Sequence, residues 1–300
     1  MKFSGIYEVA GPNLITQDWY GQKRLTLDDM TLQVNEGYGI GANFFVLLGS
    51  LAQFKKVNLI PNKINIKLKM YHNHDLYKDV FYIDNNNLQK WKSYDRVLVE
   101  RFCNNGPVCK TAIGIGNWHY EIIPHLDTID CLMQTYFNFQ ETVINKANEI
   151  ILSNNIDVDN TTFIWWRKGN KPSEVTDYPT YAQIIPLLIE GHTNILQTDD
   201  VSVLEEFKST PNLKTIDVLP VFNKDTYIDK VMHESSDEAY REKYNKEYCA
   251  HVPDTFALAI VASRCKRFIG YPGHMSQLVC VLRRDFNKQA FIIKNNRELF

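Results

Sequence analysis

The second half of the chain alternates short apolar runs with amphipathic stretches. The run at 163–166, FIWW, is apolar throughout, which is typical of a strand buried on both faces of a sheet. Further strands are predicted at 194–198, 213–219, 267–271 and 290–294, and helices at 181–190, 202–208, 255–265 and 275–284. Strands that alternate with helices predict a parallel sheet with crossover helices, a Rossmann-like topology. The absence of a GxGxxG fingerprint argues against NAD or FAD.

The first half is less regular, and its clearest unit spans residues 36–60. A Gly-rich loop leads into a helix with one apolar face and then into a predicted strand at 57–60. Glycines before a helix let a ligand approach backbone N–H groups, but they also suit a tight turn with close helix packing. Both interpretations stay open. Polar turn residues at 150–162 follow a helical stretch and predict a boundary, with domains at 1–155 and 156–300.

Composition narrows the function classes. The chain has 300 residues, is 44% hydrophobic and 23% charged, and carries a net charge of −2. This profile indicates a globular protein with a sizeable core, and it gives no global attraction to nucleic acid or anionic membranes. Basic residues form only short clusters, such as those at 264–267 and 283–284. No signal peptide or run of about 18 apolar residues is visible, so we expect a cytoplasmic protein without stable membrane insertion.

Metal chemistry is not indicated. The six cysteines form no CxxC pair, and Cys265 and Cys280 lie in apolar segments typical of a core. Asp199 and Asp200 stand at a predicted helix start, where carboxylates cap helices. We therefore expect no metal site and no cofactor.

Candidate chemistry begins where the run at 162–166 ends. Arg167, Lys168 and Lys171 surround a Gly-Asn turn directly after the predicted strand. Ligands of open α/β sheets bind at the carboxyl edge of the strands. Three cations there repel one another unless an anion joins them, and an Arg fork binds phosphate or diphosphate well. A solvated basic loop is the alternative.

Three segments of the second half together resemble the fucosyltransferase superfamily, which includes α1,6-fucosyltransferases and protein O-fucosyltransferases. They are WWRKGNK, NILQTDDVSVLEEFK and DTFALAIVASRCKRFIGYPGHMSQLVCVLRR, at residues 165–171, 194–208 and 254–284. The loop at 37–43 resembles the Gly-rich loop of the same family. The resemblance covers most of residues 160–290 and this short patch in the first half.

The resemblance implies roles for named residues. Arg167 matches the family's arginine on the donor β-phosphate, Lys171 a second cation, and Trp165 replaces the usual histidine that helps to hold the base. That replacement leaves UDP-sugars open beside GDP-fucose. The remaining matches imply a donor-binding set: Gly39, Gly41, Asn43, Asp199, Asp254, Gly273, His274, Ser276 and Gln277.

The resemblance also implies an architecture and a reaction. It predicts a GT-B fold, in which two Rossmann-like domains face each other across a cleft, with the acceptor on 1–155 and the donor on 156–300. The last residues would pack back on the first domain. Transfer would be inverting and metal-independent, with Arg167 and Lys171 stabilising the leaving diphosphate. For the general base we favour Glu174, with Asp177 and Glu36 as alternatives.

The expected function is therefore transfer of a sugar, fucose by resemblance, from a nucleotide sugar to a glycan or glycoconjugate. Alternatives are a UDP-sugar-dependent enzyme such as a xylosyltransferase, a non-catalytic nucleotide- or carbohydrate-binding protein and, more remotely, a phosphatase or nucleotide hydrolase. Nucleic acid is not an expected partner. Without a visible membrane anchor, a cytoplasmic glycosylation system of bacterial or viral type fits best.

Overall fold

A computed structural model describes twelve stretches of the chain. They are residues 6–8, 14–17, 23–28, 30–34, 40–66, 75–105, 125–166, 181–219, 251–270, 273–284, 290–294 and 297–298. The chain divides into two compact units, Met1–Glu141 and Thr142–Phe300. The functional division at 155/156 stays a prediction.

Unit 1 contains a five-stranded sheet whose strands follow the chain order. The strands are β1 (Ile6–Glu8), β2 (Leu14–Gln17), β3 (Lys23–Asp28), β4 (Thr31–Val34) and β5 (Lys63–Ile66). The first four form an antiparallel meander, whereas β4 and β5 pair in parallel. Short connections can join only antiparallel neighbours, and the parallel step passes through helix α1 (Ile40–Lys56). The described sheet of unit 1 is thus mostly antiparallel, so the predicted GT-B pair of Rossmann-like domains is not confirmed.

The predicted strand at 57–60 is wrong. Helix α1 ends in a turn there, in which the Val57 amide donates to the Phe54 carbonyl and Asn58 has a left-handed backbone with φ 61°. Asparagine tolerates that conformation and commonly ends helices. The strand that pairs with β4 begins only at Lys63.

The rest of unit 1 packs short helices around an aromatic core. These helices are α2 (Leu76–Val80), α3 (Asn85–Ser93), α4 (Arg96–Asn105) and α5 (Leu126–Tyr136), and β6 (Phe81–Tyr82) pairs with β7 (Asn138–Phe139). The Phe44 and Phe137 rings meet edge to face with centroids 4.6 Å apart, and Phe81 meets Phe137 at 5.4 Å. Such contacts bury large apolar area and set the positions of α1 and α2.

Unit 2 is an α/β layer structure around a parallel sheet. Its helices are α6 (Glu141–Ser153), α7 (Tyr181–Ile184), α8 (Val201–Phe207), α9 (Val252–Arg264) and α10 (His274–Arg283). Its strands are β8 (Thr161–Trp166), β9 (Thr193–Thr198), β10 (Leu213–Thr215), β11 (Arg267–Gly270), β12 (Ala290–Lys294) and β13 (Arg297–Glu298). The strand order is β10-β9-β8-β11-β12-β13, and the first five strands run parallel. The parallel sheet predicted from the alternating pattern is confirmed.

The strand order of unit 2 reverses between β8 and β11. After β8 the chain adds β9 and β10 on one side, and it then returns to add β11 and β12 on the other. Helix α8 covers one face, since the rings of Trp166 and Phe207 lie 6.2 Å apart. Helix α10 covers the opposite face, where it lies against Gly270. Gly270 pairs with Trp165, which precedes Trp166 on β8 and so faces the other side of the sheet. Open α/β sheets bind ligands beyond the carboxyl ends of the strands at such a switch point.

Candidate active site

The carboxyl ends of three strands meet at the switch point. Trp165 on β8 pairs in register with Gln197 on β9 and with Gly270 on β11. These strands end at Trp166, Thr198 and Gly270, so they finish at one edge. Strand β8 is buried along its whole length, as its continuous apolar pattern predicts. The ends of the three strands therefore lie side by side at one edge of the sheet.

The turn into α10 holds two buried polar side chains that could bind a ligand. Gly273 precedes the helix in an extended conformation and has no side chain that could cap the first N–H groups, which lack acceptors within any helix. Ser276 is 0% exposed and Gln277 is 5% exposed. Neither the Ser276 hydroxyl nor the Gln277 Oε1 has a hydrogen-bond partner within the described part of the chain. Leaving a buried polar atom unpaired costs about 1–3 kcal/mol, which favours a role for both atoms in binding.

Gly270 is what allows this turn to approach the sheet. A Cβ atom at this position would lie 2.6 Å from the Ser276 Oγ and 2.8 Å from the Cζ of Phe268. Real Cβ atoms do not come that close to their neighbours. The glycine therefore sets the distance between the end of β11 and the first turn of α10.

The two aspartates after β9 differ in their surroundings: Asp200 caps a helix, whereas Asp199 stays a candidate for donor binding. The Asp200 Oδ1 accepts a hydrogen bond of 2.7 Å from the Ser202 amide, and the Asp200 amide donates to the Thr198 Oγ1. Asp200 thus caps α8, as expected for a carboxylate at a helix start. Asp199 is partly exposed beside it. Its donor-binding role stays a prediction.

Asp254 is held by two partners at the start of α9. Its Oδ2 lies 3.3 Å from the Nδ1 of His251, and its Oδ1 lies 3.8 Å from the Nζ of Lys146 on α6. The carboxylate predicted to read the base is therefore already engaged through both oxygens. Sequence reasoning missed His251, although a His-x-x-Asp spacing at a helix start brings both side chains to one face.

Several predicted residues lie outside the described part of the chain. These are Arg167, Lys171, Glu174, Asp177, Glu36 and Gly39. Gly41 is buried in the first turn of α1, and Asn43 follows within the same helix, so both belong to α1 rather than to the loop before it. His274 opens α10 next to Gly273. The structure thus brings Gly273, His274, Ser276 and Gln277 together in one turn.

Three arginines of the basic clusters at 264–267 and 283–284 donate hydrogen bonds to other parts of unit 2. The Arg283 guanidinium donates to the carbonyls of Cys265 at 2.5 Å and Lys266 at 3.0 Å, at the carboxyl end of α9. The Arg264 Nη1 donates to the Asn148 Oδ1 at 2.6 Å, and Arg267 donates to the Leu187 carbonyl. A cation near the last carbonyls of a helix satisfies them and complements the helix dipole. These three arginines hold elements of unit 2 together.

Two negative findings apply to the described residues. They include no group of three or more His, Cys, Asp or Glu side chains that could hold a metal ion. Across the same stretches, every helix is too short or too polar to cross a membrane.

Comparison with known proteins gives a distant structural likeness. No protein-family model matches the chain, and the search of curated proteins found no match either. Among solved structures, the chain is similar to NodZ α-1,6-fucosyltransferase from a crystal soaked with GDP-fucose. That likeness has a TM-score of 0.45 and 9% sequence identity, and it covers 84% of this chain and 91% of the other. A likeness of this size assigns neither activity nor site residues.

Proposed function

We propose that the protein is a glycosyltransferase that moves a sugar from a nucleotide sugar to a hydroxyl of a glycan or glycoconjugate. One observation carries the proposal. Two buried polar atoms, the Ser276 Oγ and the Gln277 Oε1, have no partner among the described residues and lie in the first turn of α10, next to the switch point of a parallel sheet.

A nucleotide sugar supplies the groups that this turn needs. The Ser276 hydroxyl can donate to a phosphate oxygen, and the amino end of α10 favours an anion there. The Gln277 Oε1 only accepts, so it needs a donor such as a sugar hydroxyl or a base N–H. A diphosphate attached to a sugar and a base offers both kinds of group.

The basic segment after β8 suits the leaving group. Arg167 is the next residue of the sequence after Trp166, where β8 ends, and Lys171 follows it closely. In our proposal both cations neutralise the diphosphate as the bond to the anomeric carbon breaks. A preorganised charge contact of this kind contributes about 3 kcal/mol to the transition state, roughly a hundredfold in rate. Cations in that role replace a metal ion, so we propose metal-independent transfer. Inversion at the anomeric carbon is what the resemblance implies.

The donor is GDP-fucose by resemblance, with UDP-sugars as the alternative. Trp165 stands where the resemblance would place a histidine near the base, and it is only 4% exposed within the sheet. A buried indole there packs in the core, so contacts to the base must come from elsewhere. The choice between GDP and UDP therefore goes to experiment.

The test is metal-free binding of GDP, UDP, GDP-fucose and UDP-sugars by calorimetry. We expect selective binding that weakens about 10- to 100-fold in Arg167→Ala, since hydrogen bonds from charged groups contribute about 1.5–3 kcal/mol. Arg96→Ala is the matched control, because Arg96 pairs with Glu100 on an exposed face of α4. Binding of none of these nucleotides would refute the proposal.

Turnover separates the enzyme from its alternatives. Release of GDP or UDP from the bound donor in the presence of EDTA would support transferase chemistry. Tight binding without release across a panel of oligosaccharide acceptors would instead indicate a binding protein. Phosphate release that requires a divalent metal would indicate a phosphatase or nucleotide hydrolase.

A further inference from the structure

His251 at the start of α9 was absent from the predicted site, and it pairs with Asp254, for which a donor-binding role was predicted. His251 is the residue before the helix, and the Oδ2 of Asp254 in its first turn lies 3.3 Å from the His251 Nδ1. The His251 side chain is 36% exposed, so it is open to a substrate. We propose that His251, positioned by Asp254, is the general base that removes the proton of the acceptor hydroxyl; this rests on the proposed glycosyl transfer.

The contact selects one nitrogen of the ring for the reaction. A carboxylate that accepts from Nδ1–H fixes the tautomer in which Nε2 carries the lone pair. The same arrangement of base and orienting carboxylate activates nucleophiles on unrelated folds. A distance of 3.3 Å is long for a hydrogen bond, and catalytic contacts of this kind often tighten only when the substrate binds.

The carboxylate itself is held from a second side. The Nζ of Lys146 on α6 lies 3.8 Å from the other oxygen of Asp254. Among the described residues, the charged groups that bear on the His251 ring are Asp254 on its own helix and, through Asp254, Lys146 on α6. Both oxygens of Asp254 thus have a partner, and the contact with Oδ2 favours one orientation of the imidazole.

Topology places this pair at the ligand edge. Only Cys265 and Lys266 separate α9 from β11, so the helix runs antiparallel to the strand and its amino end lies at the strand's carboxyl end. Helix α9 packs against α10, whose first turn holds Ser276 and Gln277. His251 therefore stands at the same edge of the sheet as the proposed diphosphate site.

The proposed step balances without a further reactant. The acceptor oxygen forms a bond to the anomeric carbon while the bond from that carbon to the diphosphate oxygen breaks. The electron pair of the broken bond leaves with the diphosphate. The acceptor proton moves to Nε2 of His251, and the imidazolium that forms is stabilised by Asp254.

The first experiment asks whether the donor reaches His251. Diethyl pyrocarbonate acylates unprotonated imidazoles, and mass spectrometry reports each histidine separately. We expect saturating GDP-fucose, or the UDP-sugar that binds, to slow acylation of His251 by about fivefold or more, because a bound ligand covers most of the surface it contacts. His192 is the internal reference, since it lies next to the start of β9 at the opposite edge of the sheet.

The second experiment measures donor hydrolysis, with water as the acceptor. We expect His251→Gln to bind the donor within about twofold of wild type and to lower kcat by about 10²- to 10⁴-fold. Asp254→Asn should lower kcat as well, because its amide also donates and selects the wrong tautomer. Lys208→Met, which removes an exposed cation that pairs with Glu205, should change kcat by less than about threefold.

The outcomes separate the two proposals. If the wild-type protein binds no nucleotide sugar, the proposed function fails and the role of His251 falls with it. If it binds a donor but His251 reacts equally fast with and without that donor, the general-base role is refuted and the proposed function stands. Wild-type hydrolysis by His251→Gln refutes the role in the same way. An unchanged far-UV spectrum of His251→Gln shows that the variant is folded.

Discussion

Gly270→Ala tests whether the turn beside the switch point is as tight as its geometry implies. The new Cβ would lie 2.6 Å from the Ser276 Oγ and 2.8 and 2.9 Å from two carbons of the Phe268 ring. Both neighbours are 0% exposed, so neither can swing into solvent. Overpacking of this kind costs about 1–3 kcal/mol. Replacing glycine by alanine also restricts the unfolded chain, which returns about 0.4–1 kcal/mol.

The net expectation is a loss of about 1–2 kcal/mol in the free energy of unfolding, measured by urea denaturation. For a unit of this size that corresponds to a fall in Tm of about 2–4 °C for each kcal/mol. A double-mutant cycle with Ser276→Ala then isolates the closest contact, because removing the Oγ relieves one clash and leaves the Phe268 ring in place. We expect the two substitutions to couple by about 0.5–1.5 kcal/mol in the relieving direction.

Gly191→Ala is the matched control. Gly191 has φ +80°, and nothing lies within 4 Å of an added Cβ. The substitution should destabilise through backbone strain alone, by about 1–2 kcal/mol, and Ser276→Ala should not rescue it. The reasoning is refuted if Gly270→Ala unfolds within about 0.3 kcal/mol of wild type, or if its cost is independent of Ser276.

Three further predictions concern unit 2. Ser276→Ala should raise the free energy of unfolding by about 1 kcal/mol, because it removes a buried hydroxyl that has no partner among the described residues. The same variant should bind the nucleotide about tenfold more weakly, and equal or tighter binding by calorimetry would contradict this. Arg283→Ala should lower the free energy of unfolding by about 1–3 kcal/mol, because the carbonyls at the end of α9 lose their donor. Arg96 is exposed, so Arg96→Ala should lower the free energy of unfolding by less than about 1 kcal/mol. Equal urea midpoints for the two variants would contradict the capping role of Arg283. Burial raises the pKa of Cys265 and of Cys280 to about 12. Above a pH of about 8.5 the thiols ionise in the unfolded protein but stay protonated in the folded one. The free energy of unfolding should therefore fall with rising pH, by up to about 1.4 kcal/mol per pH unit for each thiol. Cys280→Ala should make this slope shallower, and an unchanged slope would contradict the argument.

The elements of unit 2 could be predicted because their signals are local. A strand buried on both faces needs apolar residues throughout, and 163–166 shows that pattern directly. The predicted strand at 290–294 has the observed bounds, and the predicted helix at 275–284 lies within one residue of α10. Predicted helix 181–190 is shorter in the structure, where α7 gives way to a 3₁₀ turn at Ile185–Leu187. Pro186 lacks an amide hydrogen, so a regular helix cannot continue through it.

Unit 1 was harder because pairing is a long-range property. Strands β1 to β4 are short, and nothing in their composition states which neighbour each one takes. The glycines around α1 favoured a Rossmann-like start, and the β4–α1–β5 step does have that parallel form. The antiparallel pairing of β1 to β4 was not predicted.

The candidate site divides in the same way. The place of Gly273 and Ser276 at a helix start could be predicted from the sequence, and their role in anion binding stays a prediction. The ion pair of Asp254 could not be predicted, because its partner Lys146 is 108 positions away in the chain and lies on another helix. His251 was visible in the sequence but has no meaning as a base until Asp254 is seen beside its Nδ1.

The turn at α10 combines two features that each oppose stability. Ser276 and Gln277 bury polar atoms that have no partner in the described part of the chain. Gly270 has no side chain, which allows the turn to pack closely against β11. A turn selected for stability alone would carry alanine in place of Ser276 and would have no need for so close an approach. Both features make sense together if a ligand completes the hydrogen bonds, since it would then stabilise the folded state by its own binding energy. The thermal shift produced by a bound nucleotide sugar should accordingly be smaller in Ser276→Ala than in the wild-type protein, even though the unliganded variant is the more stable of the two.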